Sequence, residues 1–357
     1  MKRPPYPEEP KSGLFSSPLF YIFFGLVFVA FLFFASLMKG TSAENTVELV
    51  IPRGSTLRSV SQLLADREII SSPGMFRRVL AVTGGAKRVR AGEFRFQKGG
   101  WWLDAITALY FQEPIVHPVT IPEGFNVKQI ALLLQQSGLV LADRFAALAL
   151  SPDAAKKYNF KSPSLEGYLF PDTYNFSKVD GEERILDRMV QRFLTKLDND
   201  LRNQIRASGM TMEQVVTFAS IVEKETGNAN ERPLVSSVFH NRLKKGMRLQ
   251  SDPTIIYGIT NYDGNIKKKH LSEKTAYNTY VIKGLPPGPI ASPGLDAIRA
   301  TLAPASSNYL YFVGNNRGEH LFSETYEKHS RFVDEYQKRR PNRASASQLA
   351  APSRNRR

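Results

Sequence analysis

The chain of 357 residues has no cysteine. A disulfide framework and a thiolate metal site are therefore excluded, and the fold is indifferent to an oxidising compartment. Histidine is also scarce: five are scattered, with none in HExxH spacing, so the pattern gives little support for zinc. There is no phosphate-cradling glycine loop and no recognisable Schiff-base lysine motif, so no metal or organic cofactor is expected. Acid is in short supply, with 33 Asp and Glu against 48 Lys and Arg and a net charge of +15. Seven of the basic residues fall in residues 338–357, which hold no acid, and this leaves +8 for the rest. That tail is rich in Ser, Ala, Asn and Pro and is expected to be disordered. It either touches anionic lipid or polymer, or stays solvated.

Charge is missing altogether from residues 19–38, LFYIFFGLVFVAFLFFASLM. A helix of that length spans about 30 Å, the hydrocarbon thickness of a bilayer. A cleavable leader has a shorter apolar core and a small-x-small exit, for which Ser42 and Ala43 offer only a weak match. The expectation is a single uncleaved transmembrane helix. Lys2, Arg3 and Lys11 precede it and Lys39 follows it, which puts residues 1–18 in the cytoplasm and the body outside. Nucleic acid is a poor partner for such a body, and no RNP-type or helix-turn-helix pattern is present.

Beyond a short linker at 40–46, residues 47–54 alternate and end in a turn signal, as a strand does. Leu57, Val60, Leu63 and Leu64 follow at helical spacing, and Ile69, Ile70, Met75 and Phe76 lead into a second helix. Seventy residues later the pattern recurs: a strand and turn at 119–124, then Val127, Ile130, Leu133 and Leu134, then Leu139 and Val140. This is an internal strand–helix–helix repeat. Between the copies, residues 91–96 read as a strand and 103–110 as a helix. Trp101 and Trp102 serve either as sugar-stacking faces or as core, and core is the expectation. From about Pro163 the composition changes. A helical stretch spans 181–207. Thr211 and Gln214 form a capping box that opens the next helix, and Gly227 is its expected stop. Pro233 starts another helix, which Gly246 ends. Residues 309–313 and 320–322 read as a hairpin, and 325–339 as a terminal helix. The expected fold class is α+β: a transmembrane helix, an N-terminal region at 45–160 with the repeat, a catalytic domain at 161–337, and the basic tail.

The chemistry concentrates at residues 218–227, FASIVEKETG. Glu223 and Glu225 end an otherwise apolar helix. A carboxyl beside Phe218, Ala219 and Val222 is costly to ionise, and one kept protonated near neutral pH is a general acid, as glycosidic cleavage requires. The alternative is a helix end whose acids face water. Helical spacing puts Glu223 one turn from Ala219 and two from Val216, on an apolar stripe, while Glu225 falls between stripes and is more easily solvated.

Several ordered motifs follow one another: EGYLFPDTY at 166–174, IVEKET at 221–226, NRL at 241–243, MRLQSDPT at 247–254, AYNTY at 276–280, GLPPG at 284–288, Pro293-Gly294, and YLYFV at 309–313. Together they resemble the YceG-like family, the endolytic murein transglycosylases (MltG), over nearly the whole chain from the apolar span to about residue 336. The strand–helix–helix unit also resembles the LysM glycan-binding module over about residues 45–100. The family resemblance implies cleavage of the MurNAc–GlcNAc β-1,4 bond in nascent peptidoglycan with formation of 1,6-anhydroMurNAc ends, with Glu223 as the acid/base. It also implies an inner-membrane location with a periplasmic or extracytoplasmic body, and peptidoglycan synthases as partners. One carboxylate suffices for such a reaction, since the attacking C6 hydroxyl is already part of the substrate. Tyr168, Phe170, Tyr174, Tyr257, Tyr277 and Tyr280 offer faces for sugar rings. Glu166, Asp172, Glu225, Asn241, Gln250, Ser251, Asp252, Thr254 and Asn278 offer hydrogen bonds. Two alternatives stay open: a hydrolase pairing Glu223 with Glu166 or Asp252, and a non-catalytic glycan-binding scaffold.

Overall fold

The computed structural model describes residues 21–29, 45–82, 89–259 and 262–338. The expected transmembrane span lies mostly outside them. Within it, residues 21–29 are helical with exposed apolar side chains. No helix among the described residues is long and apolar enough to cross a membrane. The expected cytoplasmic N-terminus, and the basic tail beyond Lys338, also fall outside the described residues.

The chain forms two compact units that part between Ile115 and Val116. In the first, β1 (Thr46–Ile51) pairs antiparallel with β2 (Gly92–Gln97), and α1 (Leu57–Asp66) and α2 (Pro73–Val82) lie between them in sequence. Helix α3 (Trp102–Phe111) follows. The inward residues of these elements, among them Leu49, Ile51, Val60, Leu64, Phe76, Phe94 and Leu109, make one core. Trp102 packs on that core, but Trp101 is 44% exposed, so only one of the two tryptophans meets the expectation of burial.

The second unit opens with the repeat. Strand β3 (His117–Thr120) pairs antiparallel with β4 (Thr173–Phe176), and α4 (Val127–Gln136), α5 (Ala142–Ala149) and α6 (Pro152–Lys157) stand between them. The copies match to the residue. Gly54 and Gly124 both have positive φ, Thr56 and Asn126 both cap a helix, and Glu68 and Gly138 both take the left-handed conformation after it. The Ile69 N–H donates to the Leu64 carbonyl as Leu139 donates to Leu134. Because β3 finds its partner at Thr173–Phe176, the second copy is tied into the C-terminal unit. The packing units accordingly part at 115/116, within the expected N-terminal region at 45–160.

The stretch expected as one helix over 181–207 is two, α7 (Gly181–Lys196) and α8 (Asn199–Ala207). Asp198 separates them because its carboxylate caps the Leu201 N–H. Helix α9 (Met212–Glu225) carries the capping box read from Thr211 and Gln214. It ends when Thr226 turns extended, with no left-handed cap at Gly227. Helix α10 (Arg232–Lys244) starts at Pro233 as expected, and Gly246 ends it with φ of +67°. Then come α11 (Asp252–Gly258), α12 (Lys268–Ser272) and α13 (Leu295–Leu302), the hairpin β5 (Tyr311–Gly314) and β6 (His320–Ser323), and α14 (Tyr326–Val333).

Helix α9 sets the site. Val215, Val216 and Ala219 belong to one core, with α4, α7 and α13, while Phe218, Ile221 and Val222 belong to another, with α10. A helix apolar all round is one buried on both sides. Gly167, at φ of +84°, lets the chain pass close to it. A Cβ there would stand 2.4 Å from the Pro289 Cβ and 3.1 Å from Val216 Cγ1. Gly167→Ala is therefore expected to cost about 2 kcal/mol or more, from overpacking and left-handed strain together. A urea melt reads this directly, and an unchanged midpoint would mean that the turn relaxes freely.

Candidate active site

The two cores around α9 decide where its glutamates go. Glu223 continues the line of Val216 and Ala219, and Glu225 continues the line of Phe218 and Ile221, each at steps of four and seven residues. Both carboxyls are therefore drawn inward, to different places. Glu225, expected to fall between stripes and be the more easily solvated, lies on a second apolar stripe instead.

The Glu223 carboxylate is buried in an ion-pair network whose outer carboxylates, Glu123 and Asp296, are exposed. Arg232 Nη2 donates to Oε1 at 3.0 Å and the Gly294 N–H donates to Oε2 at 3.0 Å. Side-chain exposure is only 5% for Glu223 and 8% for Arg232. Arg232 also reaches Glu123 at 3.2 Å and Asp296 at 3.7 Å. Burial pushes the Glu223 pKa up, while the Gly294 N–H and Arg232 pull it back.

Glu225 instead lines a cavity of about 410 Å³ with Gln250, Asp252, Tyr280, Arg242, Tyr311 and residues of the C-terminal hairpin and helix. Ser251 Oγ donates to its carboxyl. Burial pushes the Glu225 pKa up to about 7 against that hydrogen bond, and the Asp252 charge adds to the rise. The helix C-terminus also disfavours negative charge here. No cation lies within ion-pair distance of Glu225 among the described residues. Tyr280 Oη donates to Asp252 Oδ1 at 2.7 Å, which orients the second carboxylate of the cavity. The positive φ of Gln250 turns the chain into this rim. Arranged so, the cavity can hold a neutral carboxylic acid beside a fixed carboxylate.

Other expected site residues lie elsewhere. Tyr168, Phe170 and Tyr174 are core residues: Tyr168 stacks on Phe160 at 4.2 Å, and Tyr174 Oη donates to the Phe170 carbonyl. Asp172 pairs with Arg192 at 2.6 Å. Asn241 donates to the carbonyls of Ser307 and Tyr309, Thr254 to that of Ser251, and Asn278 to those of His270 and Glu273. These seven are fastened to the fold, because dense aromatics and short polar side chains serve cores and turns as readily as sugars.

Glu166 is buried under α4. It accepts from the Val127 N–H at 3.1 Å and from Tyr257 Oη at 3.1 Å, and Tyr257 packs on Tyr277. Burial raises its pKa to about 7. Glu166→Ala would orphan that N–H and phenol, so a loss of about 2–3 kcal/mol is expected, whereas Glu166→Gln keeps an acceptor and should lose less than half as much. Paired thermal melts check this, and equal losses would show that the carboxyl's proton matters more than its hydrogen bonds.

The sequence reading passed over Arg232, Glu123, Gly294, Arg242, Tyr311 and two histidines of the cavity wall, His320 and His329. Arg242 stood inside the quoted NRL motif and Glu123 inside the repeat's turn. Many of their partners are distant in sequence, as Glu123 is from Arg232, and the nine-residue separation of Arg232 and Glu223 matches no helical step, so spacing alone gives no cue.

Comparison with known proteins adds an independent line. The model of the YceG-like family matches residues 49–335. An endolytic murein transglycosylase of Bacillus subtilis (strain 168) is 32% identical over 333 residues, covering 86% of this chain and 90% of that protein. One of Streptococcus pneumoniae (serotype 2, strain D39) is 29% identical over 83% of this chain, which spans only 59% of the pneumococcal protein. The crystal structure of a yceG-like protein from Listeria monocytogenes aligns with a TM-score of 0.55 at 30% identity, covering 81% of this chain and 99% of that one. The match runs through both compact units and every motif around the cavity, and the chain belongs to the YceG-like family.

Proposed function

We propose that the chain is an endolytic murein transglycosylase with Glu225, rather than Glu223, as its acid. The observation that carries the choice is the position of Glu225 on the cavity, with a pKa raised to about 7 and a fixed Asp252 beside it. Glu223 is committed to Arg232 and Gly294 and is nearly closed to solvent. The names of the two relatives support the activity.

In this reading neutral Glu225 protonates the glycosidic oxygen as the C1–O bond breaks. The carboxylate left behind takes the proton of the sugar's C6 hydroxyl, and that oxygen bonds to C1. Protons balance, no water enters, and an anhydro end results. Asp252, held by Tyr280 on the same cavity, supplies a fixed negative charge that would stabilise the positive charge developing at a sugar ring bound beside Glu225. Hydrolysis is the second reading, favoured by Asp252 as a possible partner for Glu225. Mass spectrometry of uncrosslinked glycan strands digested by the full chain separates the two. Fragments lighter by one water support the transglycosylase, and reducing-end fragments would replace it with the hydrolase.

The apolar run at 19–38 supports an inner-membrane anchor with the body outside the cytoplasm, where nascent strands and their synthases are found. The β1–α1–α2–β2 unit is read as LysM-like and glycan-holding, an idea to which exposed Trp101 lends a stacking face. Pull-down of chitin or glycan strands by the wild type and by Trp101→Ala tests that role, and equal retention would remove it.

A further inference from the structure

Arg242 is 7% exposed, yet no carboxylate lies within ion-pair distance of it among the described residues. A buried guanidinium stays charged and is costly to leave unpaired. Part of its capacity is used: Nε donates to the Leu310 carbonyl at 2.7 Å and Nη1 to that of Leu249 at 2.6 Å. These two bonds clamp the hairpin to the loop before Gln250 and hold the guanidinium plane over the Tyr311 ring at 5.3 Å. Nη2 makes no hydrogen bond among the described residues, and Arg242 lines the same cavity as Glu225.

His329 stacks on Tyr311 at 5.2 Å on this wall. Burial, and then Arg242, hold it below the ordinary histidine range, so the wall near Tyr311 carries a fixed cation beside a neutral imidazole. His320, also on the wall, is tied to Glu231 at 2.7 Å. The cavity thus gathers the carboxyls of Glu225 and Asp252 and the Arg242 guanidinium, whose charge pulls the Glu225 pKa back down and whose Nη2 is free to take a ligand. When Glu225 holds its proton, as an acid must, the carboxylate left in the cavity lining is Asp252, which is bonded to Tyr280.

We propose that Arg242 is the centre of a carboxylate-binding subsite in this cavity, which takes a carboxylate carried by the glycan strand. The inference rests on the transglycosylase reading for the identity of its ligand. The carboxylate has two sources in such a polymer: the lactyl group of a muramic acid stripped of peptide, or the C-terminal carboxylate of a stem peptide. Docked at Arg242, either would offset the pull of that cation on Glu225 and favour its protonated form. The subsite would therefore set both the register of the strand and the readiness of the acid.

The test is isothermal titration of the full chain in detergent with two pairs of probes. One pair is the MurNAc–GlcNAc disaccharide with a free lactyl carboxylate and its methylamide. The other is the disaccharide-peptide and its C-terminal methylamide. In at least one pair the carboxylate should bind about tenfold or more tightly than the amide, as expected for a charge-assisted pair. The pair that shows the preference names the source. Arg242→Gln, checked for folding by its thermal melt, should bring that ratio to within about twofold. Equal binding of acid and amide by the wild type in both pairs overturns the proposal, whatever becomes of the variant. Strand cleavage by the same preparation keeps the two readings apart. A carboxylate preference with no anhydro product would retain the subsite and remove the transglycosylase, and anhydro product with no preference would do the reverse.

Discussion

Glu225→Gln is expected to lower strand cleavage by about 10²–10⁴-fold, the usual contribution of a general acid. The amide keeps the size of the side chain and an acceptor for Ser251, so the fold should persist and strands should still bind. The wild type should show the corresponding pH dependence. The acid must be protonated, so kcat/KM is expected to fall as pH rises through about 7, with the descending limb set by Glu225. Stability runs the same way. The folded pKa of Glu225 lies above the ordinary 4.5, so between 4.5 and about 7 the folded chain binds more protons than the unfolded one, and stability falls as pH rises across that window. Glu166 shifts in the same direction and adds to the slope, which Glu225→Gln should therefore reduce without abolishing. Glu223→Gln is the companion variant. Full cleavage by Glu225→Gln with none by Glu223→Gln would return the acid to Glu223 and undo the argument from the cavity.

How far the sequence reaches can be judged at α9. The capping box, the apolar run and the paired acids are local, and all are visible in residues 211–226. Which acid meets the cavity is a tertiary fact. It depends on Val216 and Phe218 facing different cores, and a single apolar stripe was assumed where the helix has two. The repeat is legible for the opposite reason. Gly54 and Gly124, Thr56 and Asn126, and Ile69 and Leu139 each answer a local demand of turn, cap or helix exit, and the same demand recurs at the same offset. Strand pairing is not local, so the attachment of the second copy through Tyr174 and Phe176 went unread. The same limit applies to the tyrosines: Tyr168 and Tyr280 look equivalent in composition, yet one fills a core and the other orients Asp252.

Arg232→Met is expected to cost about 3–5 kcal/mol near neutral pH, because it leaves Glu223 as a buried carboxylate without its principal cation. The neighbouring acids worsen the case. Glu123 and Asp296 share Arg232, so its loss turns three attractions into mutual repulsion around one point. The cost must depend on pH. Without Arg232, Glu223 escapes most easily by staying protonated, and its folded pKa then stands well above the unfolded value. Such a group adds stability below its unfolded pKa and loses it as pH rises through the folded one. The deficit of Arg232→Met should accordingly be smaller at pH 5 than at pH 8 in urea melts. Pairing it with Glu223→Leu should restore much of the loss, since a buried ion pair replaced by apolar side chains is often close to neutral. If the single variant lost less than about 1 kcal/mol at both pH values, the network would be an incidental contact. A large, pH-dependent loss that the double variant repairs would assign Glu223 to holding the end of α9 in place. Its carboxylate would then fix the register from which Glu225, half a turn on, meets the cavity.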